Sequence, residues 1–149
     1  MNAKELIELY KAGERDFSGV DLSNVNLMGV TIHNANFSNA IFNKANLEEA
    51  KITGSELNNV DFINCNLSGA DLYCNSFEFA KFENSNLSFA DLSSSNFIQA
   101  NFINSNMNNA DLRGTNLSEA DLSNADLSKA IYDSETIFPN ATNLSNYIA

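Results

Sequence analysis

Proline occurs once and glycine only six times in 149 residues, so the two residues that most often reverse a chain cannot make many turns here. Another residue type must do it. Cysteine occurs twice, as Cys65 and Cys74, which excludes a disulfide framework, and no histidine cluster accompanies the pair to build a zinc site. Both are expected to be free thiols, with no metal and no cofactor. Basic residues are also few: 8 Lys and Arg stand against 19 Asp and Glu, for a net charge of −11. That balance repels nucleic acid and anionic membrane at long range and leaves a basic or neutral protein as the expected partner. No apolar run approaches the roughly 18 residues of a membrane span, and the first 30 residues hold no charged stretch leading into an apolar one. Neither secretion nor membrane insertion is expected, which places the protein in the cytoplasm. With 44% hydrophobic residues, the chain is expected to form a single domain over 1–149 with a water-excluding interior.

What is present is a repeat. From Phe17 in steps of five to Tyr132, all 24 positions are apolar, without one insertion or deletion. Two residues earlier stands a small residue, Ala at 12 of the 24 places. Between the two stands Asp eight times and Asn nine times. The motif is Ala-(Asp/Asn)-Leu-x-x, as in Ala110-Asp111-Leu112-Arg113-Gly114. In extended chain, residues two apart point the same way, so the small and the central residue face inward together. A period of five is neither even nor helical, so inward facing survives only if the chain turns a corner once per repeat. The trailing pair, rich in Ser, Asn and Gly, suits such corners.

Phenylalanine counts the sides. The eight central Phe residues fall at 17, 37, 77 and 97 and at 42, 62, 82 and 102. With four repeats per coil they occupy two adjacent columns; with three or five they scatter. The expected fold is an all-β solenoid of about six four-sided coils over 15–134, about 29 Å long at roughly 4.8 Å per coil. No coil buries enough to be stable alone, so each needs its neighbours. Recurrent Asn26, Asn46, Asn66, Asn86 and Asn106 are expected to form an amide ladder, as are Asn24, Asn64, Asn84, Asn104 and Asn124, interrupted by Lys44.

The open ends need lids. Residues 2–12 read as an N-terminal capping helix, with Asn2 and Glu5 as a capping box, Leu6, Ile7, Leu9 and Tyr10 as its apolar stripe and Gly13 as its stop. After 134 the repeat fails. Residues 135–149, with Ile137, Phe138, Leu144, Tyr147 and Ile148, read as an irregular C-terminal cap or a tail that pairs two molecules, leaving monomer and tail-mediated homodimer both open.

The uninterrupted run over 15–134 resembles the pentapeptide-repeat family. The resemblance implies a right-handed quadrilateral β-helix. For function it implies two things: some members, directed at DNA gyrase, resemble an acidic B-DNA rod and bind the topoisomerase in place of DNA, whereas many others, notably cyanobacterial ones, carry no assigned biochemical role.

Two surfaces stand out as candidates. Asp71, Asp91 and Asp111 recur at one position of successive coils, as an acidic strip that would mimic phosphates or hold a cation, or as part of the repeat's own bonding. Ile41, Ile63, Phe79, Ile98 and Ile103 are expected to point outward on two adjoining sides as an interaction surface. Asn75 stands where a small inward residue belongs, in column with Ser55, Ser95 and Thr115, and reads as a polar interior ladder. Cys65 reads as interior and Cys74 as an accessible corner. His33 reads as a solvated surface residue with no partner in its repeat. No nucleophile, base and oxyanion donor come together and no phosphate loop appears, so the expectation is no enzyme but a scaffold or protein-binding module. The alternative is a DNA mimic acting on gyrase or topoisomerase.

Overall fold

The computed structural model describes residues 1–139. Parallel bridges join residues 20 apart at the second position of the repeats, from Asp16 with Asn36 through to Asp111 with Ile131. On one side the ladder widens into two short strands, β1 (Thr31–His33) and β2 (Lys51–Thr53), with Ile32 opposite Ile52. Four repeats therefore separate each residue from its neighbour in the next coil.

The repeat motif follows from where its five amides go. Around Phe37, the Asn36 N–H donates back to the Arg15 carbonyl (2.7 Å), the Phe37 N–H forward to the Glu56 carbonyl (2.7 Å), and the Asn39 N–H forward to the Asn58 carbonyl (2.9 Å). The Ala40 N–H closes the turn on the Phe37 carbonyl (2.9 Å). The Ser38 N–H is taken by the Asn36 side chain at 2.9 Å. This last bond explains why Asp and Asn fill the second position: their short oxygen reaches the amide two residues on.

The same economy answers the shortage of glycine. All 23 residues at the fifth position, from Gly19 to Lys129, have positive φ between 53° and 67°. Five are Gly and nine are Asn, the residues that enter the left-handed region most readily. The other nine include Lys44, Glu49, Cys74, Phe79 and Phe89; in these five the amide donates to a carbonyl of the next coil, as Lys44 N–H does to Ile63 at 3.0 Å, which helps hold the conformation.

Inside, every central residue from Phe17 to Leu127 is no more than 4% exposed. Phe42, Phe62, Phe82 and Phe102 stack in one column at centroid spacings of 4.9, 5.2 and 4.8 Å. Phe37 and Phe97 meet the adjacent column edge-on, on Phe42 and Phe82. Such offset and edge geometries suit the ring quadrupole. Tyr132 corrects the inward expectation: the last central residue of the run, it is 42% exposed, with Phe138 edge-on to it at 5.4 Å.

At the start, helix α1 (Ala3–Lys11) is capped by the Asn2 side chain, which accepts the Glu5 N–H at 2.9 Å. Leu6 is fully buried and Tyr10 packs on the core, but Leu9 is 39% exposed; the stripe seated on the first coil is narrower than the sequence suggests. At the other end the ladder continues past 134 with one extra residue: Ile137 bridges Asn116, 21 residues away. The Leu117 N–H reaches the Ile137 carbonyl at 2.7 Å, and Phe138 packs on the core. Leu144, Tyr147 and Ile148 of the expected tail lie outside the described residues.

Candidate functional site

Successive bridges bring Asp71, Asp91 and Asp111 into one column, bounded by Lys51 below and Ile131 above. Each carboxylate serves its own repeat. Asp71 accepts the Tyr73 N–H (3.3 Å), and Asp91 accepts both the Ser93 N–H (2.9 Å) and the Ser93 hydroxyl (2.6 Å). Asp111 takes the Arg113 N–H (3.1 Å) and its Nε (2.9 Å). The Arg113 guanidinium holds the Asp111 carboxyl below its ordinary value. One of the three charges is thus answered within the chain.

The five apolar candidates do not form one continuous patch. Phe79 and Ile98 adjoin, the Phe79 N–H donating to the Ile98 carbonyl at 3.0 Å. Ile63 and Ile103 lie on the next side, one coil to either side of Glu83, while Ile41 is bridged to Asp61 in another column. Asp61, Lys81 and Asn101 separate the two groups. Ile41 and Phe79 are exposed, but Ile63, Ile98 and Ile103 are half-buried, a correction whose cause is the side chains stacked above and below each. Among the described residues the most exposed large apolar side chain, Phe89 at 65%, was not one of the candidates. Its signal was an aromatic at the fifth position, where Gly and Asn are the rule.

The turn after β1 and β2 differs from the other turns. There the Ala35, Ser55 and Asn75 amides leave the turn and donate to the side chains one coil on, Ser55 Oγ (3.1 Å), Asn75 Oδ1 (2.8 Å) and Ser95 Oγ (3.0 Å). Asn75 Nδ2 returns two bonds, to the Ile52 (2.6 Å) and Leu72 (2.8 Å) carbonyls. The expected polar ladder is therefore present, and Asn75, only 4% exposed, is its most connected member. Outside it runs a shallow polar groove of about 530 Å³ past Gly54, Cys74, Ser94 and Gly114.

Cys74 is exposed on that groove, whereas Cys65 is buried. Burial pushes the Cys65 thiol up to about 12, so it stays protonated and acts as a small core residue. His33 is not simply solvated: its Nδ1 lies 2.6 Å from Thr53 Oγ1, and its N–H donates to the Tyr10 hydroxyl at 2.9 Å. Among the described residues no group of three or more His, Cys, Asp or Glu is placed to hold a metal ion, and no helix is long and apolar enough to cross a membrane.

Coils locked by amides at a five-residue period, with Asp or Asn feeding most turns, define a repeat solenoid. The pentapeptide-repeat model matches residues 14–43, 40–73, 76–109 and 95–131, with eight copies. The chain belongs to the pentapeptide-repeat family. It is similar to Rfr23 of the cyanobacterium Cyanothece 51142, at 24% identity over 91% of this chain and 97% of that one, TM-score 0.39. It is similar to alr5209 of Nostoc Pcc 7120, at 30% identity over 99% of this chain and 96% of that one, TM-score 0.37. It is also similar to full-length QnrB1, a plasmid-mediated fluoroquinolone resistance protein, at 18% identity over 80% of each chain, TM-score 0.32. No curated protein matches the chain.

Proposed function

We propose that this chain is a non-catalytic cytoplasmic binding module: a right-handed, four-sided rod of about six coils whose rigid sides offer a preformed surface to a protein partner. The observation that carries the reading is the surface itself. Phe79, 49% exposed, and the half-buried Ile63, Ile98 and Ile103 are held on backbone bonded to the coils on either side, so a partner meets apolar groups that lose little freedom on binding. The polar side chains Asn75, Ser55 and Ser95, by contrast, are bonded to backbone within the chain, which fits a structural part in the ladder.

The test is capture of a partner from the source cell, followed by reconstitution with the purified partner. Binding should survive Phe89→Lys and be lost when Ile63 and Ile103 are both changed to Lys. Retention by the double variant would remove this surface. Mimicry of DNA toward a topoisomerase draws support from the net charge of −11. It draws less from the Asp71, Asp91 and Asp111 column, where Arg113 pairs with Asp111. Salt-sensitive inhibition of purified gyrase would favour it, and no effect at micromolar protein would exclude it.

A further inference from the structure

One column on the side that carries Ile63 holds Asn43, Ile63, Glu83 and Ile103. The Asn64 N–H bonds the Glu83 carbonyl and the Asn84 N–H bonds the Ile103 carbonyl, each at 3.0 Å. Glu83 is thus sandwiched between two isoleucines about one strand spacing above and below it. All three residues are half-buried. Glu83 Oε1 accepts Asn101 Nδ2 at 2.8 Å. Its Oε2 is shut off from solvent, and among the described residues no donor reaches it. Lys81, two residues away, turns instead to Asp61, at 4.0 Å.

The same repeat position elsewhere shows what is unusual. Glu48 and Glu78 also reach one coil onward, to Asn66 (3.2 Å) and Asn96 (2.8 Å), but neither is held between two branched apolar side chains, and neither keeps a buried oxygen without a partner. A carboxylate oxygen that has lost water without gaining a donor is costly, so the free protein bears a penalty that a correctly placed cation would remove.

We propose that Ile63, Glu83 and Ile103 form the anchor for a single lysine or arginine of a basic protein partner. The aliphatic stem of that residue lies across the two isoleucines, and its charged head pairs with the Glu83 carboxylate, which turns about its own side-chain bonds to bring Oε2 out to it. A long cationic side chain matches the site on both counts: its stem is apolar, and its head makes the charge-assisted bond that the oxygen lacks. The net charge of −11 steers such a partner inward. This inference rests on reading the chain as a protein-binding rod, and it adds the chemistry of the partner.

The probe is a labelled peptide of about twelve residues mixing Ser, Leu and Arg, compared by fluorescence anisotropy with a twin in which citrulline replaces Arg. Against the full chain, Glu83→Gln should weaken the arginine peptide about tenfold and leave the citrulline peptide unchanged. Glu49→Gln, which removes an exposed acid on another side, should weaken it less than about twofold. The thermal midpoint of Glu83→Gln should not fall, because the change relieves a desolvated charge; it also shows that the variant folds. Equal losses in the two variants would mean diffuse attraction only and overturn the anchor. So would arginine-independent binding, or no binding at millimolar peptide. If a natural partner is lost with the Ile63 and Ile103 variants but not with Glu83→Gln, the binding surface stands and the cationic anchor falls.

Discussion

The Tyr10 hydroxyl accepts the His33 N–H at 2.9 Å and donates to the His33 carbonyl at 3.3 Å. One side chain thus satisfies the carbonyl that the corner amide of a preceding coil bonds elsewhere and the N–H that an Asp or Asn two residues earlier takes in other repeats, where Thr31 stands here. Helix α1 is attached to the open edge by this substitution for a strand as well as by burial of Leu6.

Tyr10→Phe keeps the ring and removes both bonds. Because the site is exposed, water takes over part of the role and the net cost is about 1 kcal/mol. The expected result is local: faster amide exchange at His33 with almost unchanged exchange at Phe82. Unaltered protection at His33 would show that apolar packing alone seats the helix.

Asn75→Leu should be far more damaging, since it strands the Ser55 amide and removes a donor from the Ile52 and Leu72 carbonyls, all inside the ladder. Unpaired buried groups cost about 1–3 kcal/mol each, so a loss of roughly 3 kcal/mol or more is expected in urea unfolding. Asn75→Ser, copying Ser95 one coil on, should cost less than half as much. Equal losses in the two variants would contradict the ladder as the source of the effect.

Phe89 has φ of 60° and is 65% exposed, so it bears a left-handed backbone with little burial to offset it. Phe89→Asn should raise stability by about 1 kcal/mol, since the left-handed conformation costs ordinary residues about 1–2 kcal/mol and Asn less. A midpoint about 2–4 °C higher in calorimetry is the corresponding reading. A lower midpoint would show that the ring packs usefully on its neighbours.

Acid should unfold the rod through its second-position aspartates. The Arg113 side chain holds the Asp111 carboxyl below its ordinary 3.8, and the Ser123 and Ser128 hydroxyls do the same for Asp121 and Asp126. With the folded value below the unfolded one, the stabilisation is fully present above the unfolded value and is lost as pH falls through the folded one. The thermal midpoint should therefore hold between pH 7 and about 5 and drop below about pH 4, with a shallower drop in Asp121→Asn. A decline already complete by pH 5 would point to a different titrating group.

Much of the architecture was legible because the repeat never slips between Phe17 and Tyr132. The recurrence of Phe at 42, 62, 82 and 102 pointed to a stack before any coordinate did, and Asn75 could be placed among Ser55, Ser95 and Thr115 by counting twenties. The contact of Tyr10 with His33 was not legible, because it joins a helix outside the repeat to a coil edge and no period relates them. Nor was the extra residue that lets Ile137 rejoin the ladder, since pairing there is decided by the edge left open above Asn116.

Inward or outward is a local property of alternation along the chain, so the sequence by itself determined which side chains build the interior and where each corner falls. How far an outward side chain keeps its water depends on what is stacked one coil above and below it. Only the tertiary structure therefore decided that Ile63, Ile98 and Ile103 are half-covered, that Asp111 is answered by Arg113, and that Glu83 holds a dry oxygen that no donor among the described residues reaches.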